Sequence, residues 1–223
     1  FSVRLVDCVG YMVDSAVGQF EDLSPRMVMT PWFDHEIPMT EAAEIGTRKV
    51  ITDHATVGVV VTTDGTITDI PREDYREAEE RVIRELQDIG KPFVVLVNSA
   101  QPEDPRAAAA AAEIQTRYGV TCRCVNCLTL TEEDIGDILR DLLYQFPLRE
   151  LDVFLPEWVD ALPGEHPIRS GLYQEIGEAA SQLTRICALP PCLAALSQGE
   201  NIESAAASTI DLGSGVAQVE IRL

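Results

Sequence analysis

Two hydrophobic periods alternate along the chain as far as Pro147. Val3 to Val6 form an apolar run that leads into Asp7, with Gly10 three residues on. Such a run predicts a buried strand that delivers a carboxylate to the carboxyl edge of a sheet. Residues 11–37 are irregular, Pro25, Pro31 and the following Pro38 break periodicity, and Met27, Met29, Trp32 and Phe33 are the expected apolar anchors. That is too long for an ordinary connection and reads as a functional switch loop or an insertion. A helix is expected from Thr40, with Thr40 as its cap and Glu41 and Glu44 in its first turn.

Residues 56–63 are β-branched and apolar through their centre, which predicts a strand buried on both faces, ending in the turn Asp64-Gly65-Thr66. Tyr75, Ala78, Val82, Ile83, Leu86 and Ile89 keep a 3.6-residue spacing, so 72–89 is predicted helical with Gly90 as its stop. Pro92 to Val97 is a second buried strand that delivers Asn98. Pro105 and the alanine run 107–112 predict a helix that ends at Gly119, and 120–125 a third strand. Thr131-Glu132-Glu133-Asp134 resembles a capping box before a helix with Ile135, Ile138, Leu139, Leu142 and Leu143 on one face.

Strand and helix in strict alternation indicate a parallel sheet with right-handed crossovers. After Pro147 the pattern changes. A strand is expected at 148–155, a helix at 169–187 and a hairpin about Gly213-Ser214-Gly215 within 206–222. The expected organisation is therefore an α/β domain over 1–147 and a small α+β domain over 148–223.

Composition narrows the functional classes. Of 223 residues 46% are apolar, enough for a sizeable core, and the formal charge of −20 comes from 37 acidic and 17 basic side chains. That excess argues against a surface that holds nucleic acid or anionic lipid. No apolar run reaches the ~18 residues of a membrane helix. The chain opens at Phe1 with no signal-peptide pattern, so it is expected to be a fragment of a longer, cytosolic protein. Its six cysteines (Cys8, Cys122, Cys124, Cys127, Cys187, Cys192) are expected as reduced, mostly buried thiols.

Asp7 and Gly10 are the candidate catalytic residues. An aspartate after a strand can hold Mg²⁺ through water, and the glycine can bring a backbone N–H to a terminal phosphate. Together they read as the Walker B and switch corner of a P-loop nucleotidase, with an ordinary turn as the alternative. Asn98 is the candidate base-side residue. Where Ras-like folds present Asn-Lys-x-Asp, the chain has Asn98-Ser99-Ala100-Gln101, so the carboxylate that pairs with guanine is missing. No G-x-x-x-x-G-K-[ST] occurs in these residues. This stretch is therefore expected to bind nucleotide weakly or not at all by itself.

Other chemistries have less support. Cys122, Cys124 and Cys127 lack a fourth zinc ligand nearby and are read as packing residues. His35, His54 and His166 show no metal-ligand spacing, and Ser99 and Ser170 lie in no nucleophile elbow. The alternating charges of 72–89 are a solvated face or an assembly surface; the sequence leaves both open.

Longer blocks carry a resemblance. Arg4-Leu5-Val6-Asp7-Cys8-Val9-Gly10-Tyr11, Pro31-Trp32-Phe33, residues 41–51, Thr62-Thr63-Asp64-Gly65-Thr66-Ile67, residues 77–83, Gly90-Lys91-Pro92-Phe93, Val97-Asn98-Ser99 and Leu155-Pro156-x-Trp158-Val159 stand in the order and spacing of the stage IV sporulation protein A family. Members of that family resemble P-loop nucleotidases of the translation-factor class that use ATP.

The resemblance implies a partial Ras-like P-loop nucleotidase domain followed by part of the family's middle domain. It implies hydrolysis of ATP with Mg²⁺, coupled to self-assembly into the basement layer of the spore coat. The expected place is the forespore surface in the mother-cell cytoplasm. Expected partners are further copies of the protein, other coat proteins and a small amphipathic membrane-anchoring peptide. Asp7 matches the family's Walker B aspartate. The Walker A lysine and switch threonines would lie upstream of Phe1, and the peptide-docking region beyond Leu223. A GTPase-like switch and a structural module with a vestigial nucleotide site are the competing readings.

Overall fold

A computed structural model describes residues 3–13, 15–21 and 24–223. The chain divides into two compact units, Phe1–Leu139 and Arg140–Leu223.

The first unit is built on a three-stranded parallel sheet, β5 (Gly58–Thr63), β6 (Phe93–Asn98) and β7 (Cys122–Val125), with β6 in the middle. Five consecutive residues of β6, Phe93 to Val97, are buried. At about 2 kcal/mol per large apolar side chain this strand is the main source of core burial. The crossover helices α2 (Arg72–Ile89) and α3 (Pro105–Tyr118) add Ile83, Leu86, Ala111 and Ile114 to the same core. Each ends at a glycine in the left-handed region, Gly90 (φ 72°) and Gly119 (φ 64°), as the sequence predicts. Asp104 caps α3 by accepting from the Arg106 N–H at 2.8 Å.

Before the sheet come four two-residue strands in two antiparallel ribbons, β1 (Phe20–Glu21) with β2 (Ser24–Pro25) and β3 (Met27–Val28) with β4 (Ile37–Pro38). Helix α1 (Met39–Lys49) follows and runs into a π-helical turn over Val50–His54. Helix α4 (Glu132–Leu143) spans the division between the units. Its start is a capping box closed by aspartate. The Thr131 N–H donates to Asp134 Oδ2 at 2.8 Å, and the Asp134 N–H returns to Thr131 Oγ1 at 3.2 Å.

Several expectations give way here. Val3 to Val6 form no strand; Val3, Leu5 and Val6 are 53%, 87% and 49% exposed. An apolar run becomes a strand only where a neighbour completes its ladder, and among the described residues none does. The strand at 58–63 is not buried on both faces. It is the open edge of the sheet, and Val59 and Val61 are exposed. Thr40 does not cap α1: Pro38, paired with Met27, precedes the first helical residue and its fixed φ sets the entry. Met27, Met29, Trp32 and Phe33 are exposed and the buried anchor is Ile37. Cys8 and Cys127 are exposed rather than buried, because both lie on loops.

The second unit is an α+β layer structure. Its sheet has the order β8 (Glu150–Phe154), β10 (Val216–Arg222), β9 (Ser204–Asp211). Strand β10 is parallel to β8 and antiparallel to β9. Ala217, Val219 and Ile221 alternate inward along β10 and meet Leu172, Leu189, Leu193 and Leu196. Those leucines come from α6 (Pro167–Ser181) and α7 (Leu189–Leu196). A further short helix, α5 (Trp158–Ala161), buries Val159. The helix expected at 169–187 is thus shorter and earlier, and the one after it is not announced by the apolar pattern. The hairpin expected about Gly213-Ser214-Gly215 is present, and Gly215 turns at φ 75°.

Candidate functional site

The carboxyl edge of the parallel sheet is held by a polar network that starts from strand-end residues. Register pairs Thr63 with Asn98 and Asn98 with Val125, so three strand ends align on one edge. Beyond β5, the left-handed Gly65 (φ 88°) folds the turn back so that its N–H donates to Thr63 Oγ1 at 3.0 Å. Asp64 then accepts from the Thr66 N–H at 3.0 Å, from Thr66 Oγ1 at 2.5 Å and from Ser99 Oγ at 2.7 Å. Burial works against ionisation of Asp64, but the Thr66 and Ser99 hydrogen bonds outweigh it and hold its carboxyl below the usual range.

Ser99 is fully buried, and its hydroxyl also accepts from the Gln101 N–H at 3.1 Å. Its single proton is committed to Asp64. Asn98 Oδ1 accepts from the Cys127 N–H at 3.0 Å, which leaves the side-chain amide nitrogen as a donor on this edge. Asp64, Thr66, Ser99, Gln101, Asp104 and Arg106 line a depression of about 240 Å³ beside it.

Asp7 and Gly10 lie on a different wall. Residues Val6 to Tyr11 flank a groove of about 370 Å³ whose other side is the open edge of β5 from Gly58 to Thr62, with Thr47, Glu79, Val82 and Leu86 from the helices. Asp7 is exposed at the groove and makes no hydrogen bond or ion pair with the described residues, so its acceptors are available. A carboxylate with open lone pairs suits Mg²⁺ held through water. Gly10 has φ 80°, a conformation L side chains rarely adopt, and a Cβ there would meet nothing within 4 Å. Glycine is therefore required by the backbone turn and not by crowding. The sheet edge carries Asn98 and the groove carries Asp7. The two regions adjoin through Thr62 and Thr63 of β5.

The sequence reading missed one pair here. Glu79 is 5% exposed and accepts from Arg72 Nη2 at 2.9 Å on Oε1, while Arg72 Nη1 lies 2.7 Å from Oε2. Arg72 Nη1 also reaches Thr62 Oγ1 at 3.3 Å, and Arg72 Nε has no hydrogen-bond partner among the described residues. The signal was present: Glu79 shares a helical stripe with Ile83 and Leu86, at the i, i+4, i+7 spacing of the buried face. Among the described residues no group of three His, Cys, Asp or Glu could hold a metal. Cys122 is buried and its thiol is pushed up to about 12, chiefly by desolvation.

Comparison with known proteins fits this architecture. Residues 1–147 match the family Stage IV sporulation protein A, ATPase domain, and residues 148–223 match Stage IV sporulation protein A, middle domain. The chain is 44% identical over 220 residues to stage IV sporulation protein A of Bacillus subtilis (strain 168), 42% to that of Bacillus anthracis and 38% to that of Clostridioides difficile (strain 630). In each case the match covers 99% of this chain and 45% of the relative, so the chain spans about half the length of these relatives. No solved structure matches. The chain belongs to the stage IV sporulation protein A family and carries its ATPase domain, over the residues matched, and its middle domain.

Proposed function

We propose that this chain supplies part of an ATP-hydrolysing site in a longer sporulation protein, with Asp7, Gly10 and Asn98 as its contribution. The observation that carries the reading is the open carboxylate of Asp7 at a groove bounded by the unpaired edge of β5. Asp7 would hold Mg²⁺ through its water shell, and the ion, when bound, would supply neutralisation of the charge on the transferring phosphate. In this reading the Gly10 N–H meets the terminal phosphate. Asn98 offers its amide nitrogen toward the base. A strand and a phosphate-binding loop from outside these residues would complete the groove between Val6 to Tyr11 and the edge of β5.

The sheet edge is read as not guanine-selective and as suiting adenine at least as well. Gln101 stands where a carboxylate would have to meet the two N–H donors of guanine, and Ser99 is already engaged by Asp64. Hydrolysis is proposed to drive self-assembly into the basement layer of the spore coat at the forespore surface, in the mother cell. Its partners there are further copies, coat proteins and an amphipathic anchoring peptide that docks elsewhere on the full chain. The family's name supports the sporulation role. Among the described residues no helix is long and apolar enough to cross a membrane.

Parallel turnover of ATP and GTP by the full-length protein tests this. Faster ATP hydrolysis is expected. Faster GTP hydrolysis would support a GTPase-like switch instead, and no hydrolysis of either would leave a structural module with a vestigial site.

A further inference from the structure

Among the described residues no strand pairs with the segment that carries Asp7 and Gly10, so something else must fix its position. The first firm attachment is Tyr11. Its hydroxyl donates to Glu85 of α2, and its ring lies under the Arg81 guanidinium, 4.3 Å from the centroid. Arg81 does not end there. It grips Glu44 of α1 with both nitrogens, Nη1 to Oε1 at 2.8 Å and Nη2 to Oε2 at 2.9 Å, and its Nε lies 3.6 Å from Glu85. A second tie follows, Ser15 Oγ to Asp74, and Gln19 Nε2 braces the turn from within by donating to Val13 O at 2.8 Å.

Each element is modest alone, because Arg81 and Glu44 are 43% and 45% exposed in their side chains. The fork geometry and the stacked ring make them one unit. A guanidinium held flat by a carboxylate fork cannot rotate off the ring below it. The Arg81 interaction keeps the Glu44 carboxyl low, so the fork stays charged at neutral pH.

We propose that Arg81 and Tyr11 are positioning residues for the Asp7–Gly10 corner: the stacked, forked contact links that corner to both α1 and α2. It rests on the ATPase reading for its kinetic consequence, but not for its structural one. Gly10 directly precedes Tyr11, so anchoring the Tyr11 ring restrains the backbone on one side of Gly10 and with it the freedom of its N–H. Displacement of that N–H matters most where charge develops on the transferring phosphate, so the loss should fall on kcat more than on KM.

The test uses the full-length protein with Arg81→Ala, Tyr11→Ala and Tyr11→Phe. Arg84→Ala serves as control, since Arg84 pairs with Glu80 at 2.5 Å on the exposed face of the same helix. Arg81→Ala and Tyr11→Ala should lower kcat about tenfold or more, with KM within about threefold. Tyr11→Phe, which keeps the ring, should recover most of the loss, and Arg84→Ala should match wild type. Amide hydrogen exchange supplies a readout free of activity: residues 6–12 should exchange faster in Arg81→Ala and not in Arg84→Ala. Unchanged exchange there overturns the inference even if the protein hydrolyses no ATP. Equal kcat values for Arg81→Ala and Arg84→Ala in an active protein overturn it as well.

Discussion

Ser99 Oγ donates a 2.7 Å hydrogen bond to Asp64 Oδ2 and so ties the end of β6 to the turn after β5. Because Asp64 is held below its ordinary value, this bond favours the ionised form in the fold. Its contribution is fully present above the unfolded carboxylate value of about 4 and is lost as pH falls through the lower folded value. Ser99→Ala should cost about 2 kcal/mol at neutral pH. Chemical denaturation at a series of pH values should show the gap from wild type closing below about pH 4. A gap that persists unchanged into strong acid would mean that the bond does not depend on an ionised Asp64.

The Arg72–Glu79 pair offers a sharper stability test. The side chains are 11% and 4% exposed, so truncating one strands the charge of the other. Glu79→Gln should lower the stability of the first unit by about 3 kcal/mol. A loss below about 0.5 kcal/mol, the range of surface pairs, would show that water reaches Arg72.

Thiol reactivity should follow placement. At pH 8, alkylation followed by peptide mass spectrometry should modify Cys8 first. Cys127 should follow more slowly, since its residue is exposed but burial of its thiol raises the pKa. Cys122, pushed up to about 12 by burial, should stay unmodified in the folded chain. Early modification of Cys122 would mean that β7 opens readily.

Much of the first unit could be read from the sequence because its elements are self-announcing. Helix α2 has an unbroken apolar stripe and a glycine stop, and β6 is a continuous apolar run that only a central parallel strand can bury. What could not be read depends on neighbours. Val3 to Val6, interrupted by Arg4, and the unbroken Val59 to Val61 both read as strands, yet the first forms none and the second lies at an edge, because strand pairing is a property of two segments. Glu79 has the residue type of a solvated face, but its stripe with Ile83 and Leu86 places it inside. Helix α7 opens with Leu-Pro-Pro, and prolines at the first turn of a helix resemble the prolines of a loop. At the candidate site, Asp7, Gly10 and Asn98 were legible as types at spacings. The bonds that hold the edge, Ser99 to Asp64 and Cys127 to Asn98, join residues far apart in the chain and become visible only in the fold.

The account depends on Asp7, and its direct test is single-turnover ATP hydrolysis by the full-length protein carrying Asp7→Ala, with folding checked by circular dichroism. Loss of a magnesium-orienting carboxylate should slow turnover by about 100-fold or more while the fold persists. Wild-type turnover by a folded Asp7→Ala protein would contradict the account and place the chemistry elsewhere.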